Sequence, residues 1–325
     1  MKYRTLGRTG LKVSEIGFGA WPLGGGAWGN QKDRDSLGAL HKAIDLGVNF
    51  IDTAAGYGKG RSERVIARAL KERSEKVYVA TKIHPLPGPW PPSPYCDIDE
   101  RYPADYLRKK VDERLENLNT ACVDILQLHT WTRAWNRNPK ALDVLKRLQA
   151  EGKISHIGVS TPENDQNCSI DLMRAGHVDV VQVVYNIFEQ EPAAELLPTA
   201  QEHNVGVIVR VPFDEGALTG KFTKGTTFSE GDFRSNYFAG DRLARTVDRV
   251  DKIKNEIATA ELTMPQVALK FILSHSAVSI VIPGIRNAGQ AEVNAGISDQ
   301  PELPADVLTK LRKHAWRRSF WYAGK

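Results

Sequence analysis

Cysteine is scarce in this chain of 325 residues, which contains three. Cys96, Cys122 and Cys168 are odd in number and far apart, so they form neither a metal-binding motif nor a plausible disulfide framework. The chain also has no apolar run close to the ~20 residues that a membrane-spanning helix needs. Its first residues lack the apolar core of a signal peptide. We therefore expect a cytoplasmic protein that has no membrane partner.

A concentration of charge of one sign is also missing. The net charge is +5 at pH 7 and the isoelectric point is about 9.0, but the basic residues are scattered along the chain. This scatter argues against a nucleic-acid partner, although the net charge suits an anionic ligand. The hydrophobic fraction of 41% and the charged fraction of 26% are typical of a globular protein with a large core. Repeats and convincing linkers are absent, which predicts one domain over residues 1–325.

The chain lacks the Gly-x-Gly-x-x-Gly turn that usually follows the first strand of a doubly wound sheet. Instead, a predicted hairpin at Lys2–Val13 is followed by eight apolar strands that alternate with amphipathic helices. Strands that are apolar on both faces and separated by helices indicate a parallel sheet. Eight such units predict an α/β fold of the (β/α)8 barrel type, with long loops at its C-terminal face. The predicted strands are Ile16–Gly19, Val48–Ile51, Val77–Thr81, Val123–Leu128, Ile154–Ser160, Val178–Val184, Val207–Val211 and Val278–Ile282.

Three of these strands are followed by a polar side chain that folding alone does not require. Asp52, Lys82 and His129 stand at successive strand ends, and Tyr57 follows Asp52 after a turn of small residues. Barrel enzymes build their sites at the carboxyl ends of the strands. The pattern therefore predicts one catalytic group made of these four residues.

The chemistry of this group favours proton donation to a substrate oxygen. Tyrosine has an ordinary pKa of roughly 10, and a neighbouring Lys82 ammonium is expected to lower the pKa of Tyr57. Asp52 is expected to hold Lys82 in place, and His129 to donate a hydrogen bond to the substrate. Reduction of a carbonyl by hydride needs such an acid. Because no side chain donates hydride, the sequence implies a nicotinamide cofactor.

The sequence resembles the aldo-keto reductase family. The resemblance rests on Phe50–Gly58, Ala80–Lys82, Asp124–His129 and Gly158–Ser160, and it runs in order from Tyr3–Gly7 to Ile282–Gly284. It implies a barrel that reduces carbonyls with NADPH rather than NADH. It also implies a catalytic tetrad on the same four residues that the strand ends predict.

The resemblance further implies where the cofactor binds. Ser160 and Gln182 would bond the nicotinamide carboxamide, with Thr161 standing where the family commonly has Asn. The segment Pro212–Lys221 would cover the diphosphate, and Arg286 would grip the 2′-phosphate at a helix amino terminus. The full set of predicted cofactor residues is Ala20, Trp21, Ser160, Thr161, Gln182, Arg210, Pro212, Phe213, Glu215, Gly216, Lys221, Gly284, Arg286, Gln290 and Asn294.

Arg210 is the clearest departure from the family pattern, because many members have an aromatic residue there that stacks on the nicotinamide. Two interpretations stay open. In the first, Arg210 forms an ion pair with Asp214 or Glu215. In the second, its guanidinium lies flat against the nicotinamide ring, since arginine stacks on planar groups.

The substrate is predicted to be a small carbonyl compound with apolar or planar surface, because Trp21, Trp90 and Trp131 lie in loops expected around the site. Two other functions are considered. Some relatives are regulatory subunits of potassium channels that bind NADPH, and these typically carry an extension before the barrel. A barrel lyase or isomerase would leave the Arg286 segment unexplained. The start of this chain at the hairpin favours an enzyme, and its oligomeric state stays open.

Overall fold

The computed structural model describes residues 1–26, 28–93, 95–257 and 262–316. Ten strands are assigned: β1 Tyr3–Thr5, β2 Lys12–Ser14, β3 Phe18–Gly19, β4 Phe50–Asp52, β5 Tyr78–Ile83, β6 Val123–Leu128, β7 Ile154–Ser160, β8 Val180–Val184, β9 Gly206–Arg210 and β10 Ile280–Val281. The α-helices are α1 Asp33–Asp45, α2 Arg61–Lys71, α3 Ile98–Arg101, α4 Ala104–Leu118, α5 Lys140–Ala150, α6 Ile170–Arg174, α7 Leu196–Glu202, α8 Arg234–Tyr237, α9 Arg242–Ile257, α10 Met264–Leu273, α11 Ala288–Gly296 and α12 Ala305–Arg312.

Strands β3 to β10 form one parallel sheet in chain order, and this sheet closes on itself. The Gly17 and Gly19 N–H groups donate to the carbonyls of Val281 and Pro283 at 2.8 and 2.9 Å. These bonds join the first strand of the sheet to the last. They confirm the predicted (β/α)8 barrel. The first and last strands are shorter than predicted, because near the closure the sheet continues only as isolated bridges, one of them between Ile16 and Val281.

The helices lie outside the barrel with their apolar faces inward. In α4, Leu107, Val111 and Leu118 are buried and recur at the spacing of one helix face. The helix then ends at Asn119, whose backbone is left-handed with φ of 50°. Among the described residues, no helix is long and apolar enough to cross a membrane.

The N-terminal hairpin closes the bottom of the barrel. Strands β1 and β2 pair antiparallel, and Leu6 and Val13 from this hairpin are fully buried against inward-facing strand residues such as Phe50 and Ile125. Gly7 lies so close to β9 that a Cβ atom would sit 2.2 Å from the Gly206 nitrogen. This apolar plug leaves the opposite, C-terminal end as the open end of the barrel.

Truncation of the plug should destabilise the whole fold. We expect Leu6→Ala to lower the free energy of unfolding by about 2–5 kcal/mol, because it removes a buried side chain and leaves a cavity. Urea unfolding followed by circular dichroism measures this change. Lys12→Ala, in the exposed part of the same hairpin, should stay within about 0.5 kcal/mol of the parent. Equal losses in the two variants would show that the plug does not support the barrel.

Candidate active site

A cavity of about 1290 Å³ opens at the C-terminal end of the barrel. Asp52, Tyr57 and His129 line it, and Lys82 lies fully buried beside them. The predicted strand ends therefore meet at one place, because the carboxyl ends of parallel barrel strands share one rim.

Lys82 and Asp52 form a buried ion pair at the base of this cavity. Lys82 Nζ lies 2.5 Å from Asp52 Oδ1, donates to the Thr53 carbonyl at 2.8 Å, and lies 3.5 Å from the Tyr57 hydroxyl. The other carboxylate oxygen of Asp52 accepts from the Gln182 amide at 2.7 Å. Gln127 donates to the same oxygen at 3.3 Å. This arrangement fixes the Lys82 ammonium beside the Tyr57 phenol. Gln127 is a residue of this site that the sequence did not indicate.

The pKa of Tyr57 shifts in the direction opposite to the one expected from its neighbours. Burial raises the pKa of the phenol above its ordinary value, and this effect outweighs the nearby Lys82 ammonium, which lowers it. The lowering effect predicted for Lys82 is present, but the net shift of the pKa is upward, because burial penalises the phenolate more than one ammonium stabilises it. At neutral pH the phenol therefore keeps its proton and can donate it.

His129 is held in its neutral form. Burial lowers the pKa of this imidazole well below its ordinary value, and His84, Lys82 and Arg210 add to the effect. Its Nδ1 atom is buried without a hydrogen-bond partner among the described residues. A buried unpaired N–H is costly, so the favoured tautomer keeps a lone pair at Nδ1 and an N–H at Nε2. His129 can thus donate to a substrate oxygen, as predicted.

The structure places two residues that the sequence did not indicate, His84 and Phe233, around the tetrad, beside the predicted Trp90 and Trp21. The ring of His84 lies 4.0 Å from that of His129, and the ring of Trp90 lies 6.0 Å from His129. Trp21 stacks on Tyr57 at 6.1 Å and packs against Phe233 at 4.8 Å. The contact between His84 and His129 could not be predicted from the sequence, because the two residues follow different strands.

Most of the predicted cofactor and substrate residues line the same cavity. Those that do are Ala20, Trp21, Trp90, Ser160, Gln182, Arg210, Pro212, Phe213, Glu215, Gly216, Gly284, Arg286 and Gln290. Thr161, Lys221 and Asn294 lie outside its lining. Thr161 is buried and directs its hydroxyl to the Gln182 carbonyl at 3.2 Å, whereas Lys221 is exposed.

The prediction that Trp131 contacts the substrate was wrong. Its side chain is fully buried, its indole N–H donates to Asn136 at 2.7 Å, and its ring packs on Trp135 at 5.3 Å. The loop that carries it turns the ring into the protein core rather than toward the cavity. Trp90, by contrast, is 39% exposed and does reach the cavity.

Arg210 is paired with a partner that the sequence did not indicate. One of its terminal nitrogens lies 2.8 Å from Glu163 and donates to the Thr161 carbonyl at 3.0 Å. Its Nε atom is buried without a hydrogen-bond partner among the described residues. Arg210 thus brings a guanidinium to the cavity close to the tetrad, with a carboxylate beside it.

The cavity continues from the tetrad to the amino terminus of α11. Asn287 caps this helix by accepting from the Gln290 N–H at 2.9 Å, and Gln290 accepts from the Arg286 N–H at 2.8 Å. Arg286 Nε also lies 3.3 Å from Gln31. A helix amino terminus beside a guanidinium favours a phosphate group.

The 214–216 part of the lining also fits a nicotinamide dinucleotide. Asp214, Glu215 and Gly216 have positive φ values of 48°, 56° and 103°, and a loop turned in this way can direct backbone N–H groups at a diphosphate. The volume and the lining, which combines the acid of the tetrad with phosphate-type contacts, suit such a ligand. No cluster of His, Cys, Asp and Glu in the described part of the chain is arranged to hold a metal ion.

A closed (β/α)8 barrel that gathers Asp, Tyr, Lys and His around such a cavity fits the class of barrel oxidoreductases. Sequence comparison agrees, because the model of the Aldo/keto reductase family matches residues 15–315. The chain therefore belongs to the aldo-keto reductase family.

Its relatives include proteins with different cofactors and roles. The NADH-specific methylglyoxal reductase of Escherichia coli is 29% identical, over 92% of this chain and 95% of the relative. A probable voltage-gated potassium channel subunit beta of Arabidopsis thaliana is 29% identical, over 96% of both chains. The solved structure of a glycerol dehydrogenase from Gluconobacter oxydans has a TM-score of 0.77 and 26% identity, over 94% of this chain and 92% of that chain.

Proposed function

We propose that this protein reduces an aldehyde or ketone to an alcohol, with hydride from NADPH and a proton from Tyr57. The observation that carries the proposal is the Tyr57 hydroxyl 3.5 Å from Lys82, whose charge is held by Asp52. When bound, the nicotinamide supplies hydride to the carbonyl carbon. Tyr57 then gives its proton to the carbonyl oxygen while His129 holds that oxygen with a hydrogen bond. The products are the alcohol and NADP⁺, and the phenolate left at Tyr57 recovers its proton from solvent before the next turnover.

Lys82 and Asp52 act on this step through Tyr57. As the proton leaves, the phenol becomes a phenolate, and the adjacent ammonium stabilises the charge that develops. Burial makes this stabilisation stronger than it would be in water. The protonated resting state of Tyr57 suits the reductive direction, because the acid is ready before the substrate binds.

NADPH is the favoured cofactor because Arg286 and the amino terminus of α11 line the same cavity as Tyr57. A 2′-phosphate would meet the guanidinium there. The preference for NADPH over NADH is not uniform within the family, since one relative is NADH-specific. In this chain we expect Arg286 and its neighbours at the amino terminus of α11 to decide the preference. Ser160 and the 212–216 loop are the groups expected along the nicotinamide and the diphosphate.

A regulatory subunit that binds NADPH is the second candidate, and the plant potassium-channel relative supports it. The complete tetrad favours the enzyme. A panel of aldehydes and ketones assayed by NADPH oxidation separates the two functions. Tight NADPH binding without turnover of any carbonyl would favour the regulatory role.

Tyr57→Phe tests the proton donor. We expect the rate of carbonyl reduction to fall by ~10²–10⁴-fold, the range for a lost general acid, while NADPH binding persists. Single-turnover absorbance at 340 nm measures the chemical step directly. Tyr78→Phe, the same change near the bottom of the barrel, should leave the rate unaltered. A near-normal chemical step in Tyr57→Phe would remove Tyr57 from this role.

Arg286→Ala tests the phosphate contact. We expect NADPH affinity to fall by more than ~10-fold relative to NADH affinity, because a hydrogen bond to a charged group contributes roughly 1.5–3 kcal/mol. Fluorescence titration with each cofactor gives the two dissociation constants. Arg108→Ala, which removes a surface arginine paired with Glu151, is the control. Equal losses for both cofactors would place Arg286 away from the 2′-phosphate.

Arg210→Met tests whether the guanidinium lies against the nicotinamide. A positive charge there repels the cationic ring of NADP⁺ but not the neutral ring of NADPH, so its removal should tighten NADP⁺ relative to NADPH. Glu163→Gln, which removes the balancing carboxylate, should shift the same ratio of dissociation constants in the opposite direction. A ratio that changes in neither variant would assign Arg210 to a structural pair with Glu163 alone.

A further inference from the structure

A second cavity of about 520 Å³ lies behind the loop that carries Tyr57. It is bounded by the 55–59 segment, by Arg64 of α2 and by the side of α4 that includes Lys110 and Arg114. Lys59, Arg64, Lys110 and Arg114 do not line the cavity of the proposed reduction site. The volume is within the range of small-ligand pockets.

The charge of this second cavity is predominantly positive. Four basic side chains line it, Lys59, Arg64, Lys110 and Arg114, against two carboxylates, Glu113 and Glu116. Two of the four are paired with carboxylates, since Lys110 lies 2.6 Å from Glu113 and Arg114 lies 2.9 Å from the buried Glu63. The positive charge of the cavity therefore rests on Lys59 and Arg64. A group of this composition attracts anions, and it is partly enclosed, so salt screens it less than an open surface.

Two of these cations keep unused hydrogen-bonding capacity. Arg114 is buried and its Nε bonds the buried Glu63 at 2.9 Å, but its Nη1 has no hydrogen-bond partner among the described residues. Arg64 bonds only uncharged groups, the Asn117 amide oxygen at 3.1 Å and the Lys59 carbonyl at 3.4 Å. A buried guanidinium nitrogen without a partner is costly, and an anion that reached Nη1 from the cavity would remove this cost.

Lys59 supplies a third free donor from the Tyr57 loop. Its ammonium makes no hydrogen bond or ion pair with the part of the chain that the structure describes. Its backbone is left-handed, with φ of 53°, a conformation that is unfavourable for a residue with a side chain. The loop therefore holds a lysine at the cavity in a position where glycine would fit more easily.

The second cavity shares one wall with the active site. His84 and Gly56 line both cavities, and a Cβ atom at Gly56 would lie 2.5 Å from His84 Nε2. The same imidazole lies 4.0 Å from the ring of His129. A ligand in the second cavity would thus contact the residue next to His129 and the loop that carries Tyr57.

We propose that the second cavity is a binding site for a phosphate group, held by Lys59, Arg64 and Arg114 and sensed by the active site through His84. The ligand is inorganic phosphate or a small phosphate monoester. The wall formed by Gly56 and His84 separates this group from the reacting carbonyl, which favours a free effector over the tail of a substrate. The binding site does not depend on the proposed reduction.

Isothermal titration with inorganic phosphate in a phosphate-free buffer tests the site. The titration uses the full chain with Arg286→Ala, so that phosphate binding at the α11 end does not contribute. We expect saturable binding at one site, weakened by about tenfold or more in the double variant Lys59→Gln/Arg64→Gln. Lys71→Gln/Lys109→Gln removes the same charge from exposed positions on α2 and α4 and should leave the affinity unchanged.

The His84 imidazole provides the second readout. Its NMR signals should shift during the phosphate titration, and the shift should disappear in Lys59→Gln/Arg64→Gln. If the double variant does not fold, the single variant Lys59→Gln, which changes one exposed side chain, is used in its place. Absence of saturable binding, or equal weakening in the control pair, would overturn the proposal. Competition between phosphate and a carbonyl substrate would instead assign the cavity to the substrate's own tail.

Discussion

The buried ion pair between Lys82 and Asp52 is the interaction on which the rest of this active site depends. An unpaired ammonium at the depth of Lys82 would cost several kcal/mol, and the Asp52 carboxylate and the Thr53 carbonyl offset that cost. Gln127 and Gln182 then satisfy the remaining carboxylate oxygen. Apolar residues packed in place of such a buried ion pair would often make the folded protein equally or more stable. The pair is therefore best understood as the means of holding a positive charge beside a phenol.

The barrel and its tetrad could be predicted because both leave local signals in the sequence. Strands buried on two faces appear as apolar runs, and Asp52, Lys82 and His129 stand directly at the ends of such runs. Contacts between distant segments leave no such signal. Glu163 meets Arg210 from 47 positions away. The inward turn of Trp131, whose indole N–H donates to Asn136 in the same loop, also left no signal, because the loop was equally compatible with a cavity position.

Desolvation was the other property that the sequence did not reveal. The charged neighbours of Tyr57 can be counted from the motif, and they suggest a lowered pKa. The depth at which the phenol is buried is a property of the closed barrel, and this depth decides the direction of the shift. The same reasoning applies to His129, whose neutral form follows from burial first and from neighbouring charges second.

The closure of the barrel has a consequence for how this protein acquires its binding site. Gly19 and Ala20, at the first barrel strand, and Ile282 and Gly284, at the last, line the same cavity. Closing so long a segment of chain costs conformational entropy, which increases with the length of the loop. A ligand that spans this junction acts as a noncovalent staple across it, and its binding energy adds to the stability of the closed form. A nascent chain that has not yet brought β10 to β3 lacks one wall of the cavity, so a ligand that contacts both strands can bind only after the barrel has closed.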